Sequence, residues 1–573
     1  MDNNYTMISN DEKKLYACIE NMVNYINGKF IALPKKEKQR NNIILNTIIK
    51  TIIERMKHHS ALFSALFKAK YHGGSYYDRL KVGRPNEYDL DIILTLPKMV
   101  NPVLICGDSP GFVQVKLENL ENILQKSAKV QEKFKDLDTL LASKTFLSTI
   151  KVQSWFERVF AMVYNGFSKK GNETYLDVTL NPRKRGDVTK IFIKMIKEGP
   201  AFTLKITGKE TDNSDIQLDI DLVPCFWFDG NQHWPKESDG YHANLISTKS
   251  SFLVVPKKPR DETMDKSLLE RYWRFSFQEQ ERELIGKDKK CLKPSLKILK
   301  KLRDRCNHNI PSYFIKTIFL RAVDKEDVKF WSQPVIFVII NMLKKYEKHI
   351  REGKIPYYWN ESYNLINYMN EPTTRGIANQ LQKIISEIHI GLKDSIDPYA
   401  VVKHFLTTEE FDRLKFDVPL SKNQKKRIQK SKIRRALDNL SLPTDSPDSA
   451  PPLLQLDFTS SDVAYIQKYL NAYDKRQNHN YRKEMVQIQS TTRENAEDNE
   501  IVAYVKKIEN KLDKVVNRFE KSFEEGRAMS LRLQRLEKSM TALKINNGSL
   551  RGQVRDGESI EDLLSIHQVD REQ

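Results

Sequence analysis

Between residues 43 and 56, isoleucine, leucine and methionine recur every three or four positions. Ile44, Ile48, Ile52 and Met56 would lie on one face of an α-helix, which has 3.6 residues per turn. The pattern therefore predicts a long helix that precedes the first glycine-rich segment and ends near residues 57–59.

Two later segments alternate acidic or polar residues with apolar ones. Residues 87–94 read EYDLDIIL and residues 217–222 read QLDIDL. Successive side chains of a β-strand point to opposite faces, so each segment predicts a strand with one acidic and one apolar face. From residue 268 to about 388 the apolar spacing is mainly helical, and the apolar run at 335–340 predicts a buried helix or strand.

The amino-acid composition of the chain changes after about residue 395. Residues 422–435, KNQKKRIQKSKIRR, contain eight basic residues and no acidic one, and residues 441–452, SLPTDSPDSAPP, are rich in Ser and Pro. Such a composition is typical of a linker. Beyond it, apolar residues follow alternating three- and four-residue steps from 501 to 519 and again from 529 to 543, which predicts one coiled coil with a weak centre.

Composition favours a polyanionic partner. Lys and Arg outnumber Asp and Glu by 95 to 75, giving a formal net charge of +20, although basic tails alone are an alternative source of this excess. The five cysteines lack the paired spacing of disulfide or zinc frameworks, which fits a reducing compartment. With neither a leader-like N-terminus nor an apolar run of roughly 20 residues, the expected location is cytoplasmic, without a transmembrane segment.

The candidate phosphate-binding residues and the first candidate metal ligands lie in residues 72–94, HGGSYYDRLKVGRPNEYDLDIIL. The backbone of Gly73 and Gly74 allows a ligand to approach closely, and the amides with the Ser75 hydroxyl can surround phosphate oxygens. A turn without a ligand is the alternative.

Glu87 and Asp89 are two residues apart, so a strand places both carboxylates on one face, where they can share a divalent cation. An inert, solvent-facing strand edge is the alternative for such a pair alone. The second acidic strand, with Asp219 and Asp221, favours the metal site, because two-metal phosphoryl transfer uses carboxylates that converge from neighbouring strands. Oxygen ligands without His or Cys indicate Mg²⁺ or Mn²⁺ and argue against zinc.

These residues resemble a known family. The Gly-Ser pair, the later E-x-D and the acid on a further strand are similar to the nucleotidyltransferase signature of DNA polymerase beta, poly(A) polymerases and oligoadenylate synthases. GSYYDRLKVGRPNEYDLD at 74–91 resembles animal cyclic GMP-AMP synthase and insect cGAS-like receptors more closely. The resemblance covers roughly residues 10–390 and continues in GPAFTL (199–204), LDIDLVP (218–224), LVVPK (253–257), WRFSF (273–277), LKILKKL (296–302) and PSYFIKT (311–317).

The resemblance implies a role for each matching residue. Glu87, Asp89 and Asp221 would be the catalytic metal ligands, with Asp219 auxiliary. Gly73, Gly74 and Ser75 would bind the ATP phosphates. The remaining nucleotide contacts implied are Lys257, Arg274 and Ser276 for GTP, Lys300, Ser312, Tyr313 and Lys316 for ATP, and Glu281. Ordinary surface charge is the alternative for Lys257, Arg274 and Ser276, and a core aromatic is the alternative for Tyr313.

One departure from the family bears on the activating ligand. Vertebrate cyclic GMP-AMP synthase carries a zinc thumb of one His and three Cys, where this sequence reads only IGKDKKCLKP at 285–294. The resemblance to insect receptors therefore implies double-stranded RNA as the activator, with DNA the less favoured ligand. The implied platform comprises Lys35, Lys36, Lys38, Arg40, Lys50, Arg55, Lys57, Lys68 and Lys70, with Lys287, Lys289, Lys290 and Lys293.

The expected fold is α+β: a bilobal nucleotidyltransferase with a mixed sheet, a long N-terminal spine helix and a helical C-terminal lobe. Its expected segments are a catalytic lobe at 1–245, a helical lobe at 246–395, a basic and Ser/Pro-rich linker at 396–460, and a helical or coiled-coil tail at 461–573 that would support a homo-oligomer. The expected function is nucleic-acid-activated synthesis of cyclic GMP-AMP from ATP and GTP as an innate-immune messenger for a downstream receptor. A template-independent linear polymerase of the oligoadenylate synthase type and an inactive nucleic-acid adaptor are the alternatives.

Overall fold

A computed structural model gives the fold. It describes residues 10–426, 428 and 431, except 108, 125, 181–187, 199–200, 211–212, 236–240, 242–250, 260–263, 287 and 393–396. One compact unit spans Met1–Ile428. The Ser/Pro-rich residues 441–452 and the predicted coiled-coil tail lie outside the described residues, as do the predicted boundaries near 245 and 395. The first part of the predicted linker, residues 397–426, is described and is not an extended linker: it contains the helices Pro398–Val402 and Thr408–Asp417, and Val401, Val402 and Phe405 are fully buried in the core.

The predicted long helix is present as Lys35–His59, hereafter the spine helix. It begins after Pro34, and it ends where the Ser60 amide donates to the Met56 carbonyl, 3.0 Å away. The Ser60 hydroxyl then accepts from the Phe63 amide and caps the following helix. The apolar stripe of the spine helix is buried against the Thr149–Asn165 helix and the sheet. Each such Ile or Leu contributes about 1.5–3 kcal/mol relative to an exposed position.

A single sheet organises the first half of the chain. Its strands are β1 Phe67–Gly73, β2 Glu87–Leu94, β3 Pro102–Cys106, β4 Phe112–Leu117, β5 Ser168–Lys170, β6 Glu173–Thr179, β7 Val188–Glu198, β8 Ala201–Lys209, β9 Asp215–Phe228, β10 Phe252–Val255 and β11 Tyr272–Ser276. The order is β3-β4-β11-β10-β9-β8-β7-β6-β5. β2 lies outside this path and pairs with both β1 and β9. The β2–β9 pair is parallel and the other pairs are antiparallel, so the predicted mixed sheet is confirmed.

Both predicted amphipathic strands are present as β2 and β9. Tyr88, Leu90 and Ile92 of β2 are almost fully buried in the main core, together with Ile220 and Leu222 of β9. A shift of either strand by one residue would turn these apolar side chains out of the core, so their burial fixes the pairing register.

The second half of the described chain is mainly helical, as predicted. The run at 335–340 begins the helix Val335–Arg351, which packs with Leu292–Arg305, Ser312–Lys325 and Glu371–Ile390. The other α-helices in the described part of the chain are Asn10–Ile26, Ala61–Leu66, Gly74–Tyr77, Glu121–Leu124, Ala128–Phe134, Gly230–His233, Lys266–Leu269, Gln278–Leu284, Val328–Trp331, Pro398–Val402 and Thr408–Asp417. No helix in the described part of the chain combines the length and apolar composition that a bilayer crossing requires.

Candidate active site

The parallel pairing of β2 with β9 brings two predicted carboxylates together. Asp89 lies directly opposite Asp221, and Glu87 lies opposite Asp219. Residues that pair in register across two strands present their side chains on the same face of a sheet. The acidic faces of the two strands therefore form one surface, although more than 120 residues separate them in sequence.

A buried threonine contacts the second of these carboxylates. Thr203 of β8 pairs opposite Asp221, and its hydroxyl donates to Asp221 Oδ1 at 2.5 Å. Only 3% of Thr203 is exposed. The residue lies inside the GPAFTL motif but was not among the predicted site residues, because a single polar residue among apolar ones gives no distinct sequence signal.

The glycine pair packs directly against the first carboxylate. Gly73 pairs opposite Asp89, and Gly74 has a φ of +71°, a conformation that glycine tolerates best. A Cβ at Gly74 would lie 1.7 Å from Asp89 Oδ2, so the close approach leaves no room for a side chain. Ser75 follows, partly buried, in the short helix Gly74–Tyr77.

The electrostatics of this surface favour a bound cation. Burial, together with the negative charges of Asp221 and Glu87, raises the pKa of Asp89 to about 6. An oxygen-only set of carboxylates with this excess of negative charge fits a hard divalent ion such as Mg²⁺ or Mn²⁺. The residues present are therefore compatible with the predicted metal in their chemistry.

The third predicted ligand is positioned differently. Glu87 forms an ion pair with Lys81, and the Glu87 side chain is 56% exposed. Among the described residues, no group of three or more His, Cys, Asp or Glu side chains is placed to hold a metal ion. The structure thus brings Asp89 and Asp221 together and leaves Glu87 paired with a lysine ammonium.

A further carboxylate, Asp91, lies two residues beyond Asp89 on the same face of β2 and was not predicted to have a role. It is 4% exposed, and burial raises its pKa to about 7. Gln278, at the start of the Gln278–Leu284 helix, donates from Nε2 to Asp91 Oδ2 at 2.9 Å. Its Oε1 accepts from the Gly74 amide at 3.4 Å. Gln278 therefore connects the glycine turn to the strand that carries Asp89.

Two of the predicted nucleotide contacts take part in a buried ion network. Lys316 lies 2.7 Å from Asp78 and 2.8 Å from Glu281, and Arg282 donates to Asp78 at 2.9 Å. Burial alone would lower the pKa of Lys316, but the charges of Glu281 and Asp78 outweigh it and raise that pKa. Because Asp78 follows the glycine turn and Lys316 lies on the Ser312–Lys325 helix, the network joins the two halves of the described chain.

Tyr313 and Arg274 extend this network. The Tyr313 hydroxyl donates to Glu281 Oε1 at 2.7 Å, and the Arg274 guanidinium lies 5.6 Å from the Tyr313 ring centroid and 5.8 Å from that of Tyr357. Arg274 Nε is buried and has no hydrogen-bond acceptor among the described residues. Arg274, Tyr313, Glu281 and Lys316 are thus linked by direct contacts.

The other predicted nucleotide contacts lie outside this linked group. Lys300 is buried and donates to the Leu80 carbonyl at 2.8 Å. Burial lowers the pKa of Lys300 to about 8, and the charges of Arg303 and Lys81 act in the same direction. Ser276 is buried on β11, Ser312 is partly buried at the start of its helix, and Lys257 is exposed after β10.

Some residues of the predicted basic platform are exposed, and others contact neighbouring side chains. Lys35, Lys36, Lys38 and Lys50 of the spine helix are exposed, as is Lys290. Several others have partners: Arg40 pairs with Glu210, Arg55 lies over the Phe167 ring, Lys57 pairs with Glu54, and Lys68 lies over the Trp227 ring. Lys287 is outside the described residues.

Lys297 is partly buried and was not predicted to belong to the platform. Burial lowers its pKa, and the positive charge of Lys38 acts in the same direction. Lys35, Lys36 and Lys38 place three exposed positive charges near the N-terminal end of the spine helix.

Comparison with known proteins identifies relatives of this chain. Residues 76–287 match the Mab-21 protein nucleotidyltransferase domain, and residues 291–383 match the Mab-21 protein HhH/H2TH-like domain. A curated protein from Aethina tumida, described as a cyclic GMP-AMP synthase-like receptor, is 38% identical over 402 residues, which are 70% of this chain and 94% of the relative. A receptor of the same description from Tribolium castaneum is 38% identical over 397 residues, 69% of this chain and 94% of the relative. A receptor of the same description from Nicrophorus vespilloides is 33% identical over 374 residues, 65% of this chain and 94% of the relative.

Replacing Gly74 tests the close approach to Asp89. Gly74→Ala should lower kcat at least about 100-fold, because the added Cβ must displace the Asp89 carboxylate. Gly83→Ala is the matched control, since Gly83 also has positive φ (+87°) but no atom within 4 Å of the added Cβ. Both variants should lose about 1–2 kcal/mol of stability from backbone strain. Equal activity losses in the two variants would contradict a specific role for Gly74.

The raised pKa of Asp89 gives a pH-dependent prediction. Because the folded-state pKa is about 6, against about 3.9 in an unfolded chain, metal-free protein should lose stability as pH rises between those values. Asp89→Asn cannot ionise, so it should be more stable than wild type at pH 7.5, by on the order of 1–3 kcal/mol, with the difference vanishing near pH 4.

Urea denaturation in EDTA at several pH values measures this difference. Asp215→Asn, at an exposed position of β9, is the control and should show no such pH-dependent gain. A constant difference between Asp89→Asn and wild type across the pH range would show that Asp89 carries no electrostatic strain.

Proposed function

The chain belongs to the family of cyclic GMP-AMP synthase-like receptors and is a nucleotidyltransferase of innate immunity; from this premise, we propose that it makes cyclic GMP-AMP from ATP and GTP when double-stranded RNA binds. The observation that carries the proposal is the juxtaposition of Asp89 and Asp221, with Gly74 packed against Asp89. It places a glycine turn, which can bind phosphates, beside paired carboxylates, which can bind a divalent cation. Nucleotidyl transfer requires both.

Asp89, Asp221 and Glu87 would hold Mg²⁺ or Mn²⁺. When bound, the metal supplies positive charge that stabilises the attacking ribose oxygen and the departing pyrophosphate. For Glu87 to take part, its carboxylate has to exchange the Lys81 ammonium for the metal. Asp221 additionally orients the attacking hydroxyl, and Asp219, opposite Glu87 in the register, has an auxiliary role.

The turn and the helical lobe would bind the nucleotides from two sides. Gly73, Gly74 and Ser75 bind the ATP phosphates through backbone amides and a hydroxyl. Arg274 is well suited to the acceptor GTP, because its Nε has no acceptor among the described residues and a guanidinium can donate to a guanine edge or a phosphate.

The remaining residues complete the two nucleotide sites in this proposal. Lys257 and Ser276 contact GTP, and Lys300, Ser312, Tyr313 and Lys316 contact ATP. Lys316 and Glu281 already share a buried ion pair, so ATP has to bind alongside that pair or reorganise it. Substitution of Lys316 or Glu281 would therefore affect ATP binding in part by changing the position of the Ser312–Lys325 helix.

The proposed RNA-binding surface is the N-terminal end of the spine helix. Exposed Lys35, Lys36 and Lys38 lie there. A group of lysines binds phosphates without reading base sequence, as a sensor of duplex RNA requires. The tail would link several copies on one long duplex and raise avidity, and the product would act on a downstream cyclic-dinucleotide receptor in the cytoplasm.

Product analysis tests the reaction. Full-length protein incubated with ATP, GTP, Mg²⁺ or Mn²⁺ and duplex RNA should yield a cyclic dinucleotide containing one AMP and one GMP, identified by mass spectrometry. Glu87→Ala/Asp89→Ala should reduce synthesis below detection and keep RNA binding, whereas the exposed-position control Asp215→Ala should retain activity. Linear oligomers as the sole product would contradict cyclisation, and full activity of the double variant would contradict the metal-ligand assignment.

Binding assays test the activator. Duplex RNA should stimulate synthesis more than DNA of the same sequence, and its affinity should fall at least about 10-fold between 50 and 200 mM salt, because several phosphate contacts release counterions. Lys36→Glu/Lys38→Glu should weaken RNA binding, while Lys344→Glu/Lys348→Glu, exposed on another helix, serves as the charge-matched control. Equal losses in both double variants, or stimulation by DNA alone, would contradict the proposal.

A further inference from the structure

Thr203 contacts a predicted metal ligand from outside the metal site. It lies on β8, which pairs with β9 on the edge opposite β2, so Asp221 is flanked by Thr203 on one side and Asp89 on the other. The Thr203 hydroxyl donates to Asp221 Oδ1 at 2.5 Å. That length is typical of a charge-assisted O–H···O⁻ hydrogen bond, which is about twice as strong as a neutral one.

The position of this hydroxyl is tightly constrained. Thr203 is 3% exposed, and its branched Cβ restricts rotation about χ1. The β8–β9 ladder runs in continuous register from Phe202–Leu222 to Lys209–Asp215, so the two backbones cannot slide past each other. A donor fixed in this way holds one oxygen of Asp221 and thereby sets the rotation of the whole carboxylate.

We propose that Thr203 is a positioning residue that orients the Asp221 carboxylate for divalent-cation binding. The inference rests on the proposed metal-ligand role of Asp221. Hydrogen-bond donors behind a metal ligand typically change metal affinity or activity by 10- to 100-fold when they are removed. The repulsion between Asp221 and Asp89 increases the effect of such a donor, because without the Thr203 hydrogen bond the two carboxylates can rotate apart.

Mn²⁺ binding to the full-length protein without nucleotide, followed by electron paramagnetic resonance, tests this role directly. Thr203→Val keeps the side-chain shape and removes the hydroxyl, and it should weaken Mn²⁺ binding by about 10- to 100-fold. Thr203→Ser retains the hydroxyl and should restore affinity to within about 3-fold of wild type. Thr207→Val, at an exposed position on the same face of β8, is the control and should bind like wild type.

Kinetics and unfolding separate positioning from a purely structural role. Thr203→Val should lower kcat with little change in KM for ATP or GTP, because Asp221 acts on the reacting atoms. If Thr203→Val instead binds Mn²⁺ as tightly as wild type, the proposal is overturned, even if the variant melts at a lower temperature. Equal weakening by Thr203→Ser would also overturn it, since the hydroxyl is then irrelevant.

Failure of the proposed function gives a different result. If wild type binds Mn²⁺ but makes no cyclic dinucleotide, the proposed reaction is wrong, and the ratio of Mn²⁺ affinities between Thr203→Val and wild type still decides the role of Thr203. If wild type does not bind Mn²⁺, the metal site and the role of Thr203 are both overturned.

Discussion

The parallel pairing of β2 with β9 is the constraint on which the site depends. It places Asp89 beside Asp221 on one face of the sheet, while the alternate residues of both strands are buried in the core. The two carboxylates repel each other, and burial raises the pKa of Asp89 to about 6. Apolar burial on one face thus holds in place an electrostatic arrangement that would be unfavourable on its own and that a divalent cation would relieve.

The surrounding residues maintain this arrangement from three sides. Gly74 approaches Asp89 so closely that no side chain fits between them, Thr203 donates to Asp221, and Gln278 connects the glycine turn to Asp91. These contacts come from a turn, a neighbouring strand and the helical half of the chain. The geometry of the carboxylates therefore depends on the whole unit and not on β2 and β9 alone.

The buried ion network connects the glycine turn to the helical lobe. Asp78, Glu281 and Lys316 are each less than 10% exposed, and removing one partner from such a network typically costs about 3–5 kcal/mol, because it leaves an uncompensated buried charge. Residues that the family resemblance assigns to ATP are thus also residues that hold the two halves together. In the proposed function, nucleotide binding would therefore be coupled to the relative position of the turn and the Ser312–Lys325 helix.

Much of the fold could be predicted from local periodicity, because buried faces leave a regular apolar pattern. The spine helix, the two acidic strands and the helical second half all follow from it. The pairing between β2 and β9 could not, since spacing within a strand says nothing about which distant strand lies beside it or in which register. Gln278 was missed for the same reason, because its partners Asp91 and Gly74 are distant in sequence. Thr203 was missed because a single polar residue among apolar ones gives no distinct sequence signal, although its partner Asp221 lies on the next strand of the chain. The pairing of Glu87 with Lys81 also depends on the path of the loop between them, which residue types do not specify.

The coupling of Asp89 and Asp221 through a shared cation is the central claim, and crystallography with Mn²⁺ tests it most directly. Crystals of the protein grown with Mn²⁺ and a non-hydrolysable ATP analogue should show an anomalous peak bonded to carboxylate oxygens of both Asp89 and Asp221, with Glu87 released from Lys81. A nucleotide-bound structure in which Mn²⁺ contacts neither aspartate, or in which Lys81 remains on Glu87 while the metal lies elsewhere, would contradict it.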